Sequence, residues 1–115
     1  MNEVSTTRVW VLCSDRDLRE SLSELLEIDG SVVTHNPVTP AAHLPAVVLA
    51  ACDAWPPGWD LAVLRKHFRR VPCLLLSGSL LAGDFAVTRF ERGYFVQLPA
   101  APGRILELVG ELTGA

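Results

Sequence analysis

The chain has 115 residues, 50% of them hydrophobic, and a formal net charge of −3 from 10 basic and 13 acidic side chains. This size and composition predict one globular domain over residues 1–115, with residues 1–7 expected to be flexible. The small negative charge argues against nucleic-acid binding, and no apolar run approaches the roughly 18 residues that span a bilayer. The N-terminus lacks the features of a secretory signal, so we expect a cytoplasmic protein.

Five short apolar segments predict the strands of a sheet. The segments that begin at Arg8, Ala46 and Pro72 are almost continuously apolar, which is typical of strands buried on both faces of a parallel sheet. In chain order, the predicted strands cover residues 8–13, 31–34, 46–52, 72–77 and 93–98.

Helical patterns separate these strands. Residues 15–30 place four leucines on one face, behind Ser14 or Asp15 as an N-cap, and Gly30 suits the left-handed position after the helix. The prolines between residues 34 and 46 leave room for about one helical turn, at "TPAAHL". The second helix is therefore expected to be short.

Further helices are predicted after Gly58 and from Pro102 onward. Segment 79–92 is interpreted as a weaker helix, since its glycines and serine oppose helix formation. Alternating strands and helices predict an α/β three-layer sandwich of the flavodoxin-like type, with a five-stranded parallel sheet in the order 2-1-3-4-5.

Ligands of such sheets bind beyond the carboxyl ends of the strands, where strands 1 and 3 diverge. The residues expected near this rim are Cys13, Ser14, Asp53, Ser77 and Leu98. Metal binding by cysteine or histidine is not expected. The cysteines have no CxxC spacing and lie in or beside apolar runs, which predicts reduced, buried thiols, and the histidines lack the spacing of zinc ligands.

Four stretches together resemble the response-regulator receiver (CheY-like) domains of two-component signalling. "VWVLCSDRDLRESLSELLEIDG" resembles their first strand and helix, and "AVVLAACDAWPPGWDLAVLRK" resembles their third strand, phospho-acceptor turn and third helix, with Asp53 at the acceptor position. "VPCLLLSG" and "GYFVQLP" resemble the fourth and fifth strands. Ser77 and Phe95 then occupy the two switch positions. The likeness covers nearly the whole chain and implies the CheY-like fold.

The same resemblance implies a pair of acids that hold Mg²⁺ and a lysine that meets the phosphoryl group. Here Cys13 and Ser14 occupy the acidic positions, Asp15 lies one residue further on, and Leu98 replaces the lysine. A thiol and a hydroxyl are poor substitutes for the carboxylates that Mg²⁺ prefers, and leucine cannot neutralise phosphoryl charge. We therefore interpret the chain as a degenerate receiver, or pseudo-receiver, in which Asp53 keeps its place without its supporting chemistry.

This interpretation predicts a bacterial signalling module, not an enzyme, that needs no cofactor and binds a protein. The partner would be a histidine kinase, an effector domain or another signalling protein, and a homodimer is an additional option. Segment 79–92, strand 93–98 and the last helix form the predicted partner surface. Trp55 and Trp59 either add to a partner surface or cover the emptied acidic pocket.

Two alternatives stay open. One is a receiver that accepts phosphate at Asp53 with Mg²⁺. The other is a small α/β hydrolase or phosphatase that uses Asp53 or Ser77, although neither has an obvious paired base and the Gly-x-Ser-x-Gly elbow is missing. The chain is expected to be a stand-alone regulator or one domain of a longer protein.

Overall fold

The computed structural model describes residues 7–37, 44–67, 70–77, 87–90, 93–97 and 102–114. Its strands are β1 (Arg8–Leu12), β2 (Val32–His35), β3 (Val47–Ala51), β4 (Cys73–Ser77), β5 (Val87–Phe90) and β6 (Gly93–Gln97). Its helices are α1 (Arg16–Ile28), α2 (Leu61–His67) and α3 (Pro102–Leu112).

The strands form one sheet in the order β2-β1-β3-β4-β6-β5. The strands β2, β1, β3, β4 and β6 are parallel to their neighbours in this series. With β6 counted as the fifth parallel strand, they have the predicted order 2-1-3-4-5. Parallel strands all end at the same edge of a sheet, so the residues that follow β1, β3 and β4 are collected there. This edge is the rim at which the sequence predicts a site.

Strand β5 corrects one prediction. The sequence pattern predicts a weak helix over segment 79–92, but Val87–Phe90 pair antiparallel with β6 at the edge of the sheet. Valine, threonine and phenylalanine favour strands, and only two residues separate β5 from β6, a length typical of a hairpin. Residues 79–86 and 91–92 lie outside the described residues. So do residues 1–6 and most of the predicted turn at "TPAAHL".

Helices cover both faces of the sheet. Leu22 and Leu26 of α1 and Leu108 of α3 pack in one buried cluster with alternate residues of the central strands. Leu64 of α2 packs in a second cluster, which includes Trp10 on the opposite face of β1. The described residues therefore confirm the three-layer arrangement. None of the helices in the described ranges is long and apolar enough to cross a membrane.

The ends of α1 follow the predicted capping pattern. Asp15 is the N-cap, and its Oδ1 accepts a hydrogen bond from the backbone N–H of Leu18 at 3.2 Å. Gly30 has a φ of 94°, the left-handed region expected after the helix. Asp15 fixes where α1 begins and thereby fixes the turn between β1 and α1 at the rim, whereas Gly30 marks the end of the helix.

Candidate functional site

Asp53 and Ser77 meet at the carboxyl end of the sheet. Asp53 follows β3 and is exposed, whereas Ser77 is the last residue of β4 and is 4% exposed. The Ser77 hydroxyl lies 3.0 Å from Oδ2 and 3.3 Å from Oδ1 of Asp53 and donates to this carboxylate. The pairing of β3 with β4 extends past β3, because the Cys52 N–H donates to the Leu76 carbonyl at 2.7 Å. This extension holds Asp53 beside the end of β4.

The turn after β1 borders the Asp53 turn but directs its cysteine away from it. The backbone N–H of Ser14 donates to the Ala54 carbonyl at 2.7 Å, and the Ser14 side chain is exposed. Cys13 is 0% exposed and packs in the core cluster beneath α1. Its thiol donates to the Asp15 carbonyl at 3.3 Å. The resemblance to receiver domains assigns the acidic pair to Cys13 and Ser14. Of these two residues, only Ser14 presents its side chain at the surface.

Asp15, the acid nearest to those positions, is already used by the helix. Its carboxylate caps α1 through the Leu18 N–H. Turning Asp15 toward Asp53 would leave that N–H without its acceptor, a loss of about 1 kcal/mol for a typical N-cap. Asp15 is therefore better placed to start α1 than to replace a metal ligand.

Asn36, which the sequence did not single out, fixes the same turn. Its side chain brackets the peptide groups of Cys13: Oδ1 accepts from the Cys13 N–H at 2.8 Å, and Nδ2 donates to the Cys13 carbonyl at 2.9 Å. Asn36 has a φ of 40°, a left-handed conformation that asparagine tolerates better than most residues. An asparagine two residues after the predicted strand 31–34 is the available signal. Its partner, 23 residues away, was not visible in the local pattern.

Replacing Asn36 with alanine is expected to lower the free energy of unfolding by about 2 kcal/mol, because two partly buried groups of Cys13 lose their partners. Asn36→Asp keeps the acceptor for the Cys13 N–H but places a second carboxylate oxygen against the Cys13 carbonyl, so it should also be less stable than the wild type. Urea denaturation followed by circular dichroism measures both variants. Equal stability of Asn36→Ala and the wild type would contradict a bracing role.

The three thiols are unsuited to metal binding or nucleophilic attack at neutral pH. Burial raises the pKa of Cys13 and of Cys52, and it raises the pKa of Cys73 to about 11. Each thiol is therefore protonated near neutral pH, whereas the thiolate is the form that binds metals and attacks electrophiles. The predicted burial is confirmed for Cys13 and Cys73, and Cys52 is half-buried.

Among the described residues, the rim gathers few of the ligands that Mg²⁺ prefers. Within them, no three histidine, cysteine or carboxylate side chains lie close enough together to hold a metal ion. At the rim, Asp53 has the Ser77 hydroxyl as a neighbour, Cys13 is a buried thiol and Asp15 caps α1. Mg²⁺ requires oxygen ligands near octahedral geometry, usually including carboxylates. Leu98, at the lysine position, lies outside the described residues.

The two tryptophans of the β3–α2 loop have different environments. Trp59 is 7% exposed and packs edge to face against Trp10, with ring centroids 6.3 Å apart and planes at 83°. Its indole N–H donates to the Pro37 carbonyl at 2.9 Å. Trp55 is half-buried against the same cluster. Trp59 is therefore a core residue that links the loops after β2 and β3, whereas Trp55 keeps part of its surface accessible.

A histidine at the sheet edge bears on the hydrolase alternative. The Nε2 atom of His35 lies 2.5 Å from the hydroxyl of Ser23, which itself donates to the Arg19 carbonyl at 2.7 Å. Since the serine proton is used in that bond, His35 is the donor in the pair. Ser23 is 5% exposed and belongs to α1. His35 is thus committed to bracing α1 against β2 and is not arranged as a base for Ser77. The side chain of Phe95 lies outside the described part of the structure.

No protein-family model and no curated protein matches the chain. Solved structures that resemble it include the receiver domain of sensor histidine kinase PA1611 from Pseudomonas aeruginosa PAO1, which has a magnesium ion in its active-site cleft. That domain has a TM-score of 0.72 and 16% identity over 96% of this chain and 100% of its own. A CheY-like receiver domain protein from Methanospirillum hungatei JF-1 has a TM-score of 0.73 and 16% identity, over 96% and 95% of the two chains.

The receiver domain of the NarL response regulator from Mycobacterium tuberculosis is similar at a TM-score of 0.66 and 21% identity, over 97% of this chain and 99% of that one. Identities this low establish a shared fold, and function has to be argued from the residues at the site. The predicted likeness to receiver (CheY-like) domains is confirmed at the level of the fold.

Proposed function

We propose that the chain is a cytoplasmic receiver-fold signalling module, not an enzyme, that acts by binding a protein partner without aspartyl phosphorylation as its switch. The observation that supports this most directly is the environment of Asp53. One of its partners is the Ser77 hydroxyl, while the residue at the first acidic position, Cys13, is a buried thiol with a raised pKa. The rim therefore offers Asp53 no second carboxylate from that position.

Phosphoryl transfer depends mainly on positioning and on neutralising the charge of the transferred group. An incoming phosphoryl group is anionic, as is the Asp53 carboxylate, so their approach is repulsive without a cation between them. Ser77 donates one neutral hydrogen bond, which stabilises the carboxylate but supplies no positive charge. In this proposal, the Asp53–Ser77 pair joins the ends of β3 and β4 and has a structural role.

Incubation with acetyl phosphate and Mg²⁺ is expected to leave the intact mass of the protein unchanged, because the acids that would hold the metal beside Asp53 are replaced. Mass spectrometry measures the phosphoryl group directly, and beryllofluoride with Mg²⁺ should leave the amide NMR spectrum unchanged. A phosphoryl mass gain that disappears in Asp53→Asn would contradict the proposal and support the phosphorylation-competent alternative.

A variant with an added acid tests whether the replaced carboxylates limit Mg²⁺ binding beside Asp53. Ser14→Asp places a second carboxylate in the exposed turn that is hydrogen-bonded to Ala54, next to Asp53. We expect this variant to bind Mg²⁺ more tightly than the wild type, measured by calorimetric titration, and Ser14→Asn to serve as the uncharged control. If Ser14→Asp and Ser14→Asn bind Mg²⁺ equally, the missing carboxylate at position 14 is not what limits Mg²⁺ binding.

We further propose that the partner is a histidine kinase, an effector domain or another signalling protein, which contacts the face built from segment 79–92, β6 and α3. The described part of this face contains Tyr94, whose hydroxyl donates to Glu111 of α3 at 2.8 Å, and the exposed pair Arg104–Glu107 at 3.1 Å. Exchanging the charges of Arg104 and Glu107 preserves their ion pair and the net charge but changes the surface. Unchanged partner binding in that double variant would contradict this choice of face.

A further inference from the structure

Two helices expose large apolar side chains at their ends. Ile28, the last residue of α1, is 80% exposed, and Leu61, the first residue of α2, is 41% exposed. The helices lie on opposite faces of the sheet, so one copy of the chain cannot bring Ile28 and Leu61 together.

The exposed sides of these two helices carry opposite charges. The outer stripe of α1 is mostly acidic and ends beside Ile28. Its exposed charged members are Arg16, which forms an ion pair with Glu20, and the acids Asp17, Glu20, Glu24 and Glu27. No basic residue lies in the last turn of α1, although a cation there would complement the helix dipole. On α2, the exposed Arg65 and Lys66 lie one turn after Leu61. The positive charge that is missing from the last turn of α1 is thus present on α2.

The spacing of these residues matches when the helices are antiparallel. Glu24 precedes Ile28 by four residues, and Arg65 follows Leu61 by four residues. If Ile28 of one copy contacts Leu61 of another, Glu24 therefore faces Arg65. Asp29 and Asp60 lie at the same end and repel each other. Asp60, however, caps α2 through the Val63 N–H at 2.8 Å, which directs its carboxylate toward its own helix.

We propose that α1 of one copy docks antiparallel along α2 of a second copy, with the Ile28–Leu61 contact at one end of the overlap and the Glu24–Arg65 pair one helical turn further along it. The contact is heterologous, so each copy keeps one unused helix and association continues into larger assemblies instead of ending at a dimer. The second copy is the chosen partner because it offers, on one described helix, an exposed apolar residue and bases at the matching spacing. This contact does not involve Asp53 and is independent of the proposed function.

The test is self-association measured by sedimentation velocity over a series of protein concentrations. The wild type is expected to associate, whereas Glu24→Arg and Arg65→Glu each weaken association about tenfold, because attraction becomes repulsion. An equimolar mixture of these two variants should associate again. In the mixture, α1 with the Glu24→Arg change faces α2 with the Arg65→Glu change, so opposite charges meet again. The unchanged α1 and α2 of the two variants pair as in the wild type. Ile28→Ser should also weaken association.

Asp17→Arg is the matched control for Glu24→Arg, since it makes the same charge change on an exposed residue of α1 that lies beyond the reach of the seven-residue α2, and it should associate like the wild type. Circular dichroism confirms that each variant is folded. A wild type that stays monomeric at the highest concentration would overturn the proposal. Association that survives both charge reversals, or variants that do not recover when mixed, would overturn it equally, because the contact would then involve another surface.

Discussion

Replacing Gly93 with alanine is expected to lower the free energy of unfolding by about 3 kcal/mol or more, a large part of the stability of a domain of this size. Gly93 begins β6 and pairs with Cys73 of β4. An added Cβ would lie 1.8 Å from the carbonyl oxygen of Cys73 and 2.8 Å from its carbonyl carbon. Both of these atoms belong to the backbone of a central strand, so no side-chain rotation relieves the clash. The two strands would have to separate.

Gly110→Ala provides the matched control for this prediction. Gly110 lies within α3, and a Cβ built there meets nothing within 4 Å. Since glycine is a poor helix former, this substitution should raise the free energy of unfolding by about 0.5–1 kcal/mol. Urea denaturation of the two variants should therefore shift the midpoint in opposite directions. A Gly93→Ala protein as stable as the wild type would show that β4 and β6 are not as close as the structure has them.

Gly93 also illustrates what a sequence pattern can and cannot predict. The apolar segment that it begins was sufficient to predict a strand, because that signal is local. The need for glycine depends on the distance to Cys73, which is set by the pairing of β4 with β6. Strand β5 was missed for a related reason: Val87–Phe90 favour a strand, but the surrounding glycines and serine gave only a weakened helical pattern.

In the candidate site, too, some features are predictable from the sequence and others are not. The order of the strands follows from their alternation with helices, and it was enough to bring Asp53 and Ser77 to one edge of the sheet. The direction of each side chain was not predictable from spacing. Cys13 is buried beneath α1, and Asn36 holds its peptide groups through contacts between distant parts of the chain. Position along a strand predicted where to look for a site, and packing determined which groups face it.

Replacing Trp59 with alanine is expected to lower the free energy of unfolding by about 3–5 kcal/mol, as for other buried aromatic residues. The side chain is 7% exposed, and its ring contacts Trp10 in an edge-to-face arrangement at 6.3 Å. Truncation would leave a cavity in the cluster beneath α2 and remove the hydrogen bond to the Pro37 carbonyl. Urea denaturation followed by circular dichroism measures the loss independently of tryptophan fluorescence.

Two further variants separate packing from hydrogen bonding. Trp59→Phe keeps an aromatic ring against Trp10 but cannot donate to Pro37, so it should lose less than the alanine variant, with about 1 kcal/mol attributable to the hydrogen bond. Trp55→Ala removes a half-buried indole from the same loop and should lower stability by a smaller amount, about 1–2 kcal/mol. If Trp55→Ala proved the more damaging of the two alanine variants, Trp59 would not anchor the loop. The order expected from burial and contacts makes Trp59 the residue that holds the β3–α2 loop in the core, whereas Trp55 keeps part of its surface accessible.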